Sequence, residues 1–542
     1  MLLTILVIAT VSFVLAYILY GRFLANRYDL DDKRPTPSHT EYDGIDRVPA
    51  HKAVLLGHHF SSIAGAAPIV GPIIAAAAFG WLPVLLWVII GAILIGGVHD
   101  FSALIASVRH NARSVAEIAR EYMSPLAYKL FLVFIWLALV YVLTVFADLT
   151  ATTFTEDGGV ASASILFIAL AVAFGISINR LKIPLLWASV AFVPLIFAAV
   201  WLGREVPLSA DIIPTVISGD PTKTWALILI FYCFLASTTP VWVLLQPRDY
   251  LSSFLLYASV IGAFAGILIG GFTIQYPAFT SLSPQAGSLF PILFVTVACG
   301  ACSGFHSVVA SGTSSKQLNK ESDAKAIGYG AMLLEGLVAV IALLTVAMVN
   351  KNDDLLSSDP LVIYATGIGN FLSSLGIPKE LGESFGLLAL SAFVLTTLDT
   401  ATRLSRYIFE ELFSMKGARS RYISTLATLV LPAVLVLINL KDPQGNTIPA
   451  WKAIWPVFGA SNQLLAGLVL LVVTVWLRKK GKKTLFIIGP LIFMNTMTVW
   501  ALVLLLKKYK YSTIGVIAGV LLLLALLLIA EAYKTLRRVS AA

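Results

Sequence analysis

The feature that most constrains this chain is a long series of apolar stretches, each about 20 residues in length and nearly free of charge. A helix of about 20 apolar residues is what crossing the hydrocarbon core of a bilayer requires. Hydrophobic residues make up 58% of the 542 positions and charged residues 12%, against about 25% charged in an ordinary soluble domain. The sequence therefore predicts an all-α polytopic membrane protein surrounded by the lipid bilayer.

Hydropathy predicts about 15 membrane spans. They cover approximately residues 2–24, 51–80, 82–107, 127–150, 161–180, 183–203, 224–246, 251–274, 286–314, 326–350, 384–408, 422–440, 453–476, 484–506 and 512–534. If the amino terminus is outside and the carboxyl terminus cytoplasmic, all but nine of the 38 lysines and arginines lie on the cytoplasmic side or at its border. This asymmetry follows the positive-inside rule, so the net charge of +9 reflects topology and needs no nucleic-acid partner. We expect a multi-pass protein of the inner (cytoplasmic) membrane.

Two helix-breaking runs interrupt the predicted spans, at residues 58–72 and 235–242. In hydrocarbon every backbone amide needs a partner, so an interrupted helix survives only where protein or a water-filled cavity covers the break. Paired interruptions at corresponding places in two halves are typical of secondary transporters, in which the freed backbone groups bind the solute and the coupling ion. The sequence therefore favours a secondary transporter.

The spacing of the spans predicts a five-plus-five inverted repeat of the LeuT type with extra flanking helices. Each half begins with a broken span followed closely by another, and an odd number of spans per half forces the second half to be inverted. The predicted divisions are an N-terminal helix and cytoplasmic loop at 1–50, a transport core at 51–410 with repeats 51–203 and 224–410, and C-terminal accessory helices at 421–542. The loop at 27–49 is either an ordered plug or a loose linker. The segment 455–463 suits bracing of the core or a dimer contact, which leaves a homo-oligomer open.

Eight short motifs follow one another along most of the chain. They are Gly-His-His-Phe at 57–60 with Ile-Ala-Gly at 63–65, Gly-Pro at 71–72, Gly-Val-His-Asp at 97–100, Pro-Arg-Asp-Tyr-Leu at 247–251, Ala-Cys-Gly-Ala-Cys-Ser-Gly-Phe-His at 298–306, Ser-Gly-Thr at 311–313, Leu-Asp-Thr-Ala-Thr-Arg at 398–403 and Phe-Gly-Ala-Ser-Asn-Gln-Leu-Leu-Ala at 458–466. Together and in this order, they resemble motifs of the carbon starvation protein A (CstA) family. The resemblance implies an inner-membrane uptake system expressed under nutrient limitation, with peptides or pyruvate as substrates in different members. It also implies membership of the amino acid–polyamine–organocation (APC) superfamily, which shares the inverted five-helix repeat.

Ionisable side chains within the predicted spans are candidates for ion coupling, because a charge in hydrocarbon is costly and usually faces a cavity or a partner. The sequence offers His58, His59, His99, Asp100, Asp148, His306, Glu335 and Asp399. Of these we expect the transported proton on His58, His59, His99, Asp100 or Asp399, since a histidine titrates near neutral pH. Neighbouring helix positions are about 100° apart, so the two adjacent histidines face different ways. The structural alternatives are a histidine that bonds backbone freed at the break and a buried histidine–aspartate pair without a role in coupling.

The substrate cavity is expected between the two breaks, where backbone groups and helix-terminal dipoles favour a carboxylate. The predicted substrate contacts are Phe60, Gly65, Ala66, Thr238, Thr239, Trp242, Phe305 and His306. Asp399 and Arg403 are four residues apart in a helix, so they lie on one face and can pair. Such a pair is either a cytoplasmic gate at Arg403 or an interfacial anchor.

No metal or other cofactor is expected. Cys299 and Cys302 have the Cys-x-x-Cys spacing of zinc sites, but the second close pair of ligands is missing, and tight helix packing explains the small residues better. Neither a Gly-x-Ser-x-Gly nor a His-Glu-x-x-His motif nor a phosphate-binding loop is present, so an enzyme or an ATP-driven pump is not indicated. The leading hypothesis is a proton-coupled symporter of short peptides or small carboxylates. A sodium-coupled symporter, with sodium bound by the hydroxyl-rich segment 303–314, and a channel are the alternatives.

Overall fold

The fold is that of a computed structural model, which describes residues 1–44, 46–208, 219–284, 287–417, 419–438, 440–441 and 447–541. Within these residues the chain is helical almost throughout, and the only strands are the two-residue β1 (Leu440–Lys441) and β2 (Thr447–Ile448), which pair antiparallel. The predicted class, an all-α polytopic membrane protein, is confirmed.

The first half of the chain is a succession of helices with short connections. They are α1 (Leu2–Arg27), α2 (Pro37–Thr40), α3 (Lys52–Ile63), α4 (Ala67–Phe79), α5 (Trp81–Gly91), α6 (Gly97–Val108), α7 (Val115–Tyr122), α8 (Pro125–Glu156), α9 (Gly158–Asn179), α10 (Leu185–Glu205), α11 (Pro221–Thr238) and α12 (Leu245–Gly270). A π-helical segment, Ala92–Gly96, joins α5 to α6, so Trp81–Val108 forms one continuous span.

The second half continues in the same way. Its helices are α13 (Leu289–Thr296), α14 (Gly304–Val309), α15 (Ser315–Gln317), α16 (Ala331–Ala347), α17 (Pro360–Ser373), α18 (Lys379–Leu412), α19 (Ser420–Leu437), α20 (Ala450–Lys479), α21 (Leu485–Tyr509) and α22 (Thr513–Ala541). Its irregular helical segments are π-helical at Ala310–Ser314 and Lys325–Gly330 and 3-10 at Glu321–Asp323 and Asp354–Ser357. Single π-helical turns inside α-helices frequently accompany functional sites.

Among the described residues, twelve helices are long and apolar enough to cross a membrane, and the bent pair α3–α4 makes thirteen. The predicted spans 224–246 and 286–314, which are not among these thirteen, correspond to α11 and to the interrupted segment α13–α15. The chain is thus an integral membrane protein with at least twelve apolar helices of spanning length in its described part.

The first predicted break is present. Residues 64–66 separate α3 from α4, and the two helices are bent by 44° relative to each other. Gly65 lies in this break, where a side chain would not fit, because a Cβ atom would come within 2.9 Å of both Phe146 and Thr397. The Thr397 hydroxyl donates to the Ser62 carbonyl at 3.2 Å, so α18 provides a partner for a carbonyl near the end of α3.

The second predicted break, at 235–242, is wrong. α11 ends at Thr238, and a turn leads into a new helix, α12, that begins at Leu245. Pro240 accounts for the end of α11, because the residue before a proline avoids the helical conformation. Thr239 is accordingly extended, with φ −79° and ψ 146°.

The second half nevertheless contains an interrupted helical segment, with residues 297–303 between α13 and α14. Its run of Cys, Gly, Ala and Ser was interpreted from the sequence as a tightly packed helix. Small residues permit both arrangements, since glycine and alanine allow close helix packing and also make an irregular backbone sterically possible. The local sequence therefore does not distinguish a tightly packed helix from an interrupted one.

The centre of the molecule is formed by long helices that leave little surface exposed. α8 and α18, of 32 and 34 residues, pack against each other, and α20 packs against α8, α14 and α6. The apolar stretch of α20 is buried along its whole length, as expected of a helix that is apolar on every side. Although α20 lies within the predicted C-terminal accessory segment 421–542, it is therefore part of the core.

Candidate functional site

Two adjacent histidines of α3 contact buried polar side chains on two different elements. Nδ1 of His58 is 2.6 Å from a carboxylate oxygen of Asp249 on α12. Nδ1 of His59 is 2.7 Å from the hydroxyl of Ser314, in the π-helical segment after α14. All four side chains are fully buried. Because neighbouring positions of a helix are about 100° apart, the two imidazoles contact different elements, as the sequence predicts.

The first group, the arginine cluster, consists of His58, Tyr232, Arg248, Asp249 and Asp399. Arg248 donates to a carboxylate oxygen of Asp399 and, at 2.9 Å, to the hydroxyl of Tyr232. Tyr232 donates to the same Asp399 oxygen at 2.7 Å. Arg248 and Asp249 are consecutive residues of α12, and they reach α18 and α3 respectively. With Tyr232 on α11, the cluster therefore connects four helices, of which α3 ends at the first break.

The arginine cluster is one positive charge short of neutrality when its histidine is uncharged. Arg248 is always protonated, whereas Asp249 and Asp399 supply two negative charges. Each of these three side chains is at most 1% exposed, and a buried charge without compensation is strongly unfavourable. A further positive charge is needed to balance these three side chains, and His58, beside Asp249, is the remaining basic member of the cluster.

The second group, the carboxylate cluster, consists of His99, Asp100, His306 and Glu335. One oxygen of Asp100 accepts from Nδ1 of His99 at 2.7 Å and the other from Nδ1 of His306 at 2.8 Å. Nε2 of His306 is 3.1 Å from an oxygen of Glu335, although the two are not aligned for a hydrogen bond. The predicted pairing of His99 with Asp100 is thus present, and His306, predicted as a substrate contact, belongs to the same cluster.

Helix α20 supplies polar partners to the break between α13 and α14. The side-chain carbonyl of Asn462 accepts the backbone N–H of Phe305 at 2.8 Å and the hydroxyl of Ser303 at 3.1 Å. Its amide donates to Sγ of Cys299 at 3.2 Å, and Gln463 donates to a carbonyl of α13 at 2.7 Å. These contacts meet the requirement that an interrupted helix in a membrane have partners for its backbone groups.

Several predicted substrate residues lie at the breaks. Gly65 and Ala66 form the first break, and Phe60 is stacked on Tyr257 with ring centroids 5.8 Å apart. Phe305 follows the second break and is buried. The residues of both breaks are buried, so neither break is open to solvent in this structure.

Thr238, Thr239 and Trp242 lie elsewhere, because α11 ends at the first of them. The two threonine hydroxyls donate to carbonyls of their own helix. Their carbonyls accept from Arg421 at 2.8 Å and from Arg403 at 2.6 Å. The carbonyl of Trp242 faces α9. The structure therefore places these three residues at a helix end, not in the predicted cavity.

Arg403 does not pair with Asp399, although the two share a helix face. Asp399 is engaged by Arg248, whereas Arg403 lies 3.9 Å from Asp46 in the segment before α3. Tyr407, one turn further along α18, donates to Asp46 at 2.9 Å. Arg248 is thus the partner of Asp399 in place of Arg403, and Arg403 instead anchors the N-terminal segment to α18.

A second anchor holds the N-terminal segment against α6 and α15. Arg109 donates to both oxygens of Glu321, at 3.0 and 3.2 Å, and the backbone N–H of Asp31 donates to Glu321 at 2.9 Å. The hydroxyl of Ser38 donates to the Leu318 carbonyl at 2.8 Å. A cavity of about 720 Å³ adjoins this contact. The segment is an ordered closure across these helix ends, in agreement with the plug alternative.

Two groups near this closure, outside the spanning helices, have shifted pKa values. Burial lowers the pKa of His110, whose Nδ1 donates to the Ala106 carbonyl at 2.6 Å and whose Nε2 is 2.9 Å from the Tyr122 hydroxyl. A hydrogen bond from Lys482 lowers the pKa of the exposed Asp29 carboxyl. Both shifts favour the form that each group has at neutral pH.

The predicted spans 224–246 and 251–274 leave Arg248 and Asp249 in the connection between them, but both lie inside α12 and are fully buried. Opposite charges directly after Pro247, at the head of an apolar stretch, were the available signal. No sequence signal indicated Tyr232, whose role depends on contacts across helices. Asp148 belongs to neither cluster and instead accepts the backbone N–H of a residue in the first turn of α20 at 2.9 Å.

Comparison with known proteins agrees with this architecture. Peptide transporter CstA of Escherichia coli (strain K12) is 33% identical over 547 residues, which cover 88% of this chain and 77% of that protein. Pyruvate/proton symporter BtsT of the same organism is 31% identical over 585 residues, covering 92% and 81%. The structure of MhsT in complex with L-phenylalanine matches with a TM-score of 0.51 at 13% identity, over 89% of this chain and 99% of that one. The sequence profile described as Carbon starvation protein CstA matches residues 1–356 and 351–501. The chain therefore belongs to the CstA family of transporters.

Proposed function

We propose that this protein is a secondary active transporter that imports short peptides or small carboxylates such as pyruvate by proton-coupled alternating access. The observation that carries the proposal is the arginine cluster, in which one histidine beside a permanent ion pair decides whether the buried charges balance. Relatives named as peptide transporters and as a pyruvate/proton symporter support the substrate class and the coupling ion.

The proposed architecture is a five-plus-five inverted repeat whose register differs from the sequence prediction. The first repeat runs from α3 to α10 and the second from α13 to α20. Each begins with an interrupted span, continues with a span that contains a π-helical segment, and then has a short helix, α7 or α17, before its longest helix, α8 or α18. α11 and α12 separate the repeats, and α1, α21 and α22 flank them. This assignment gives fifteen spans.

The orientation that fits this count has the amino terminus outside and the carboxyl terminus in the cytoplasm of a cell with this protein in its inner membrane. Under that orientation the ends of α1, α6, α15 and α18 that meet the N-terminal segment all lie on the cytoplasmic side. The contacts of Arg109, Glu321 and Arg403 then form the cytoplasmic gate. Opening of this gate is the step that releases substrate into the cell.

The substrate is proposed to bind between the two breaks. The N-terminus of α4 points its helix dipole toward residues 64–66, and a positive dipole end attracts a carboxylate. Phe60 and Phe305 provide apolar walls. A short peptide and pyruvate both carry a carboxylate, so both fit the electrostatics of this site.

Coupling follows from the position of the arginine cluster. When His58 carries the proton, the charges of the cluster cancel, and α3 stays joined to α12 through Asp249. When the proton leaves, Asp249 keeps a buried negative charge without compensation, which weakens the closed arrangement. Loading and release of one proton would thus bias two arrangements of the broken helix, as alternating access requires.

Uptake into liposomes tests the proposal. The purified protein is given an inward proton gradient without sodium and a panel of labelled di- and tripeptides and pyruvate. We expect accumulation by the wild type. Asp249→Asn should lose accumulation driven by the gradient and keep exchange of substrate for substrate, since exchange needs no net movement of protons. Glu383→Gln, a change in a partly exposed carboxylate on the same helix as Asp399, is the matched control and should behave as wild type.

The outcomes separate the alternatives. Accumulation that needs sodium and does not depend on the proton gradient would show that sodium is the coupling ion. Downhill flux without accumulation would point to a channel. Accumulation that Asp249→Asn retains would move the coupling site away from the arginine cluster.

A further inference from the structure

The carboxylate cluster is joined by a thiol that the proposed coupling does not use. Cys299, His306 and Glu335 each offer one ligand atom, and these atoms lie within 4.8 Å of one another. All three side chains are buried, at 4% exposure or less. Sulfur, imidazole and carboxylate are the donor set that zinc and its neighbours among the transition metals take in proteins.

The charges of this cluster differ from those of the arginine cluster. Asp100 and Glu335 supply two carboxylates, and no arginine or lysine is salt-bridged to either among the described residues. Neither oxygen of Glu335 has a hydrogen-bond partner in that part of the chain. A buried carboxylate without donors is strongly unfavourable, and His306 is the one basic side chain near Glu335 among the described ion pairs. A divalent ion held between Glu335 and His306 would offset these negative charges more fully than the imidazole alone.

The groups around the three candidate ligands hold them in the form that binds metal. Nδ1 of His306 is 2.8 Å from Asp100, and in the neutral imidazole that donates from Nδ1 the lone pair lies on Nε2, the nitrogen near Glu335. This carboxylate–histidine–metal arrangement is the usual support of a metal-bound imidazole. Asn462 donates to Sγ of Cys299 at 3.2 Å. Two of the three ligands therefore have an outer partner already in place.

The interrupted helix makes the convergence possible. Cys299 and His306 are seven residues apart, and in a continuous helix they would be separated by about 10 Å along the axis. Residues 297–303 are not helical, so Sγ of Cys299 returns to the imidazole. Glu335 comes from α16, the next span. The sequence pattern Cys-x-x-Cys that suggested zinc is thus misleading, since the partner of Cys299 is His306 and not Cys302.

We propose that Cys299, His306 and Glu335 form a binding site for one divalent transition-metal ion of the zinc type. Such an ion takes sulfur at about 2.3 Å and nitrogen and oxygen at about 2.0–2.2 Å in a tetrahedron. Small rotations of the thiol and the carboxylate bring the three atoms to these distances. A water molecule or Ser303, whose Oγ is 3.5 Å from Sγ of Cys299, completes the fourth position. The ion would join α14 to α16 and so hold the second interrupted span in its closed form.

Cobalt binding tests this site without any transport measurement. Co²⁺ replaces zinc in such sites and gives visible bands, together with a thiolate-to-cobalt charge-transfer band in the near ultraviolet. The detergent-purified full chain, freed of its affinity tag and of bound metal, is titrated with Co²⁺. We expect one ion per chain and the charge-transfer band. Cys299→Ser should lose that band, and Glu335→Gln should weaken binding at least about tenfold.

Two further variants make the result specific. Cys233→Ser removes a buried thiol on α11 and should leave the cobalt spectrum unchanged. Asp100→Asn removes the partner of His306 and should weaken binding about 10–100-fold, the usual effect of an outer-sphere change. Elution of each variant as a single species in gel filtration shows that it is folded. Absence of stoichiometric cobalt binding by the wild type, or a charge-transfer band that persists in Cys299→Ser, would overturn the proposal.

Discussion

Replacement of Asp399 by asparagine isolates the contribution of the buried ion pair on which the arginine cluster depends. The change keeps the size of the side chain and an acceptor for Tyr232, whose hydroxyl is 2.7 Å from the carboxylate. It removes the charge that compensates Arg248, which is fully buried and has no partner for its Nε and one of its terminal nitrogens among the described residues. The guanidinium cannot lose its proton, so the variant leaves Arg248 without its directly bonded counter-charge, and the remaining carboxylate of the cluster, Asp249, contacts His58 instead.

The expected magnitude follows from the burial. Loss of one partner of a buried ion pair costs about 3–5 kcal/mol. At about 2.1 cal/mol/K per residue, the 542 residues of the chain have an unfolding entropy of about 1.1 kcal/mol/K. Asp399→Asn should therefore lower the Tm by about 3–4 °C. Helices that persist in detergent reduce that entropy and enlarge the shift.

Thermal unfolding followed by intrinsic tryptophan fluorescence in detergent measures this effect. The double variant Asp399→Leu with Arg248→Met should regain most of the lost stability, because an apolar pair replaces a buried ion pair at little cost. Glu383→Gln, which disturbs the partly exposed pair with Lys379, should shift the Tm by less than about 1 °C. The reasoning would be refuted if Asp399→Asn unfolded like the wild type, or if the double variant were less stable than the single one.

Three further predictions concern other parts of the molecule. The thiol introduced by Ser38→Cys reports on opening of the proposed gate through its rate of labelling. Glu321→Gln in this background should raise that rate about tenfold or more, because charge-assisted hydrogen bonds contribute about 1.5–3 kcal/mol to the closed form. An unchanged labelling rate would contradict this. Asn462→Ala should lower the Tm by about 1–3 °C, since the buried N–H of Phe305 loses its acceptor; retention of the wild-type Tm would contradict it. Because burial lowers the pKa of His110, the unfolded chain binds more protons than the folded chain between the folded-state pKa and about 6.5. Stability should therefore fall as the pH drops through that range, and His110→Gln should reduce this dependence in Tm measurements; equal slopes would contradict it.

The sequence sufficed for the class of the protein and for one of its two interrupted helices. Charge-free stretches of spanning length leave no alternative to a helical membrane protein, because only helices and closed barrels satisfy every backbone group in hydrocarbon. The first break was predicted because Gly65 and Pro68 follow His58 and His59 within one apolar span. These are local properties, and local properties are what a sequence contains directly.

The second break and the partners of the buried charges required the tertiary structure. Pro240 ends a helix whereas Pro68 follows a break inside a span, and the difference depends on whether the chain continues in the same direction or turns back. Similarly, Asp399 has Arg403 as its helical neighbour, but Arg248 of another helix lies closer and is completely buried. In a low-dielectric interior the nearest cation determines the pairing.

The sequence by itself determined that this chain spans the membrane many times, belongs to a transporter family by its motifs, and carries ionisable groups within its spans. Only the tertiary structure decided which of those groups pair with one another. It placed His58 with Asp249 and His306 with Asp100 and Glu335, because helices far apart in the chain meet at the two breaks. The physical reason is that spacing along one helix fixes which residues share a face, whereas compensation of a buried charge depends on which helix packs against that face.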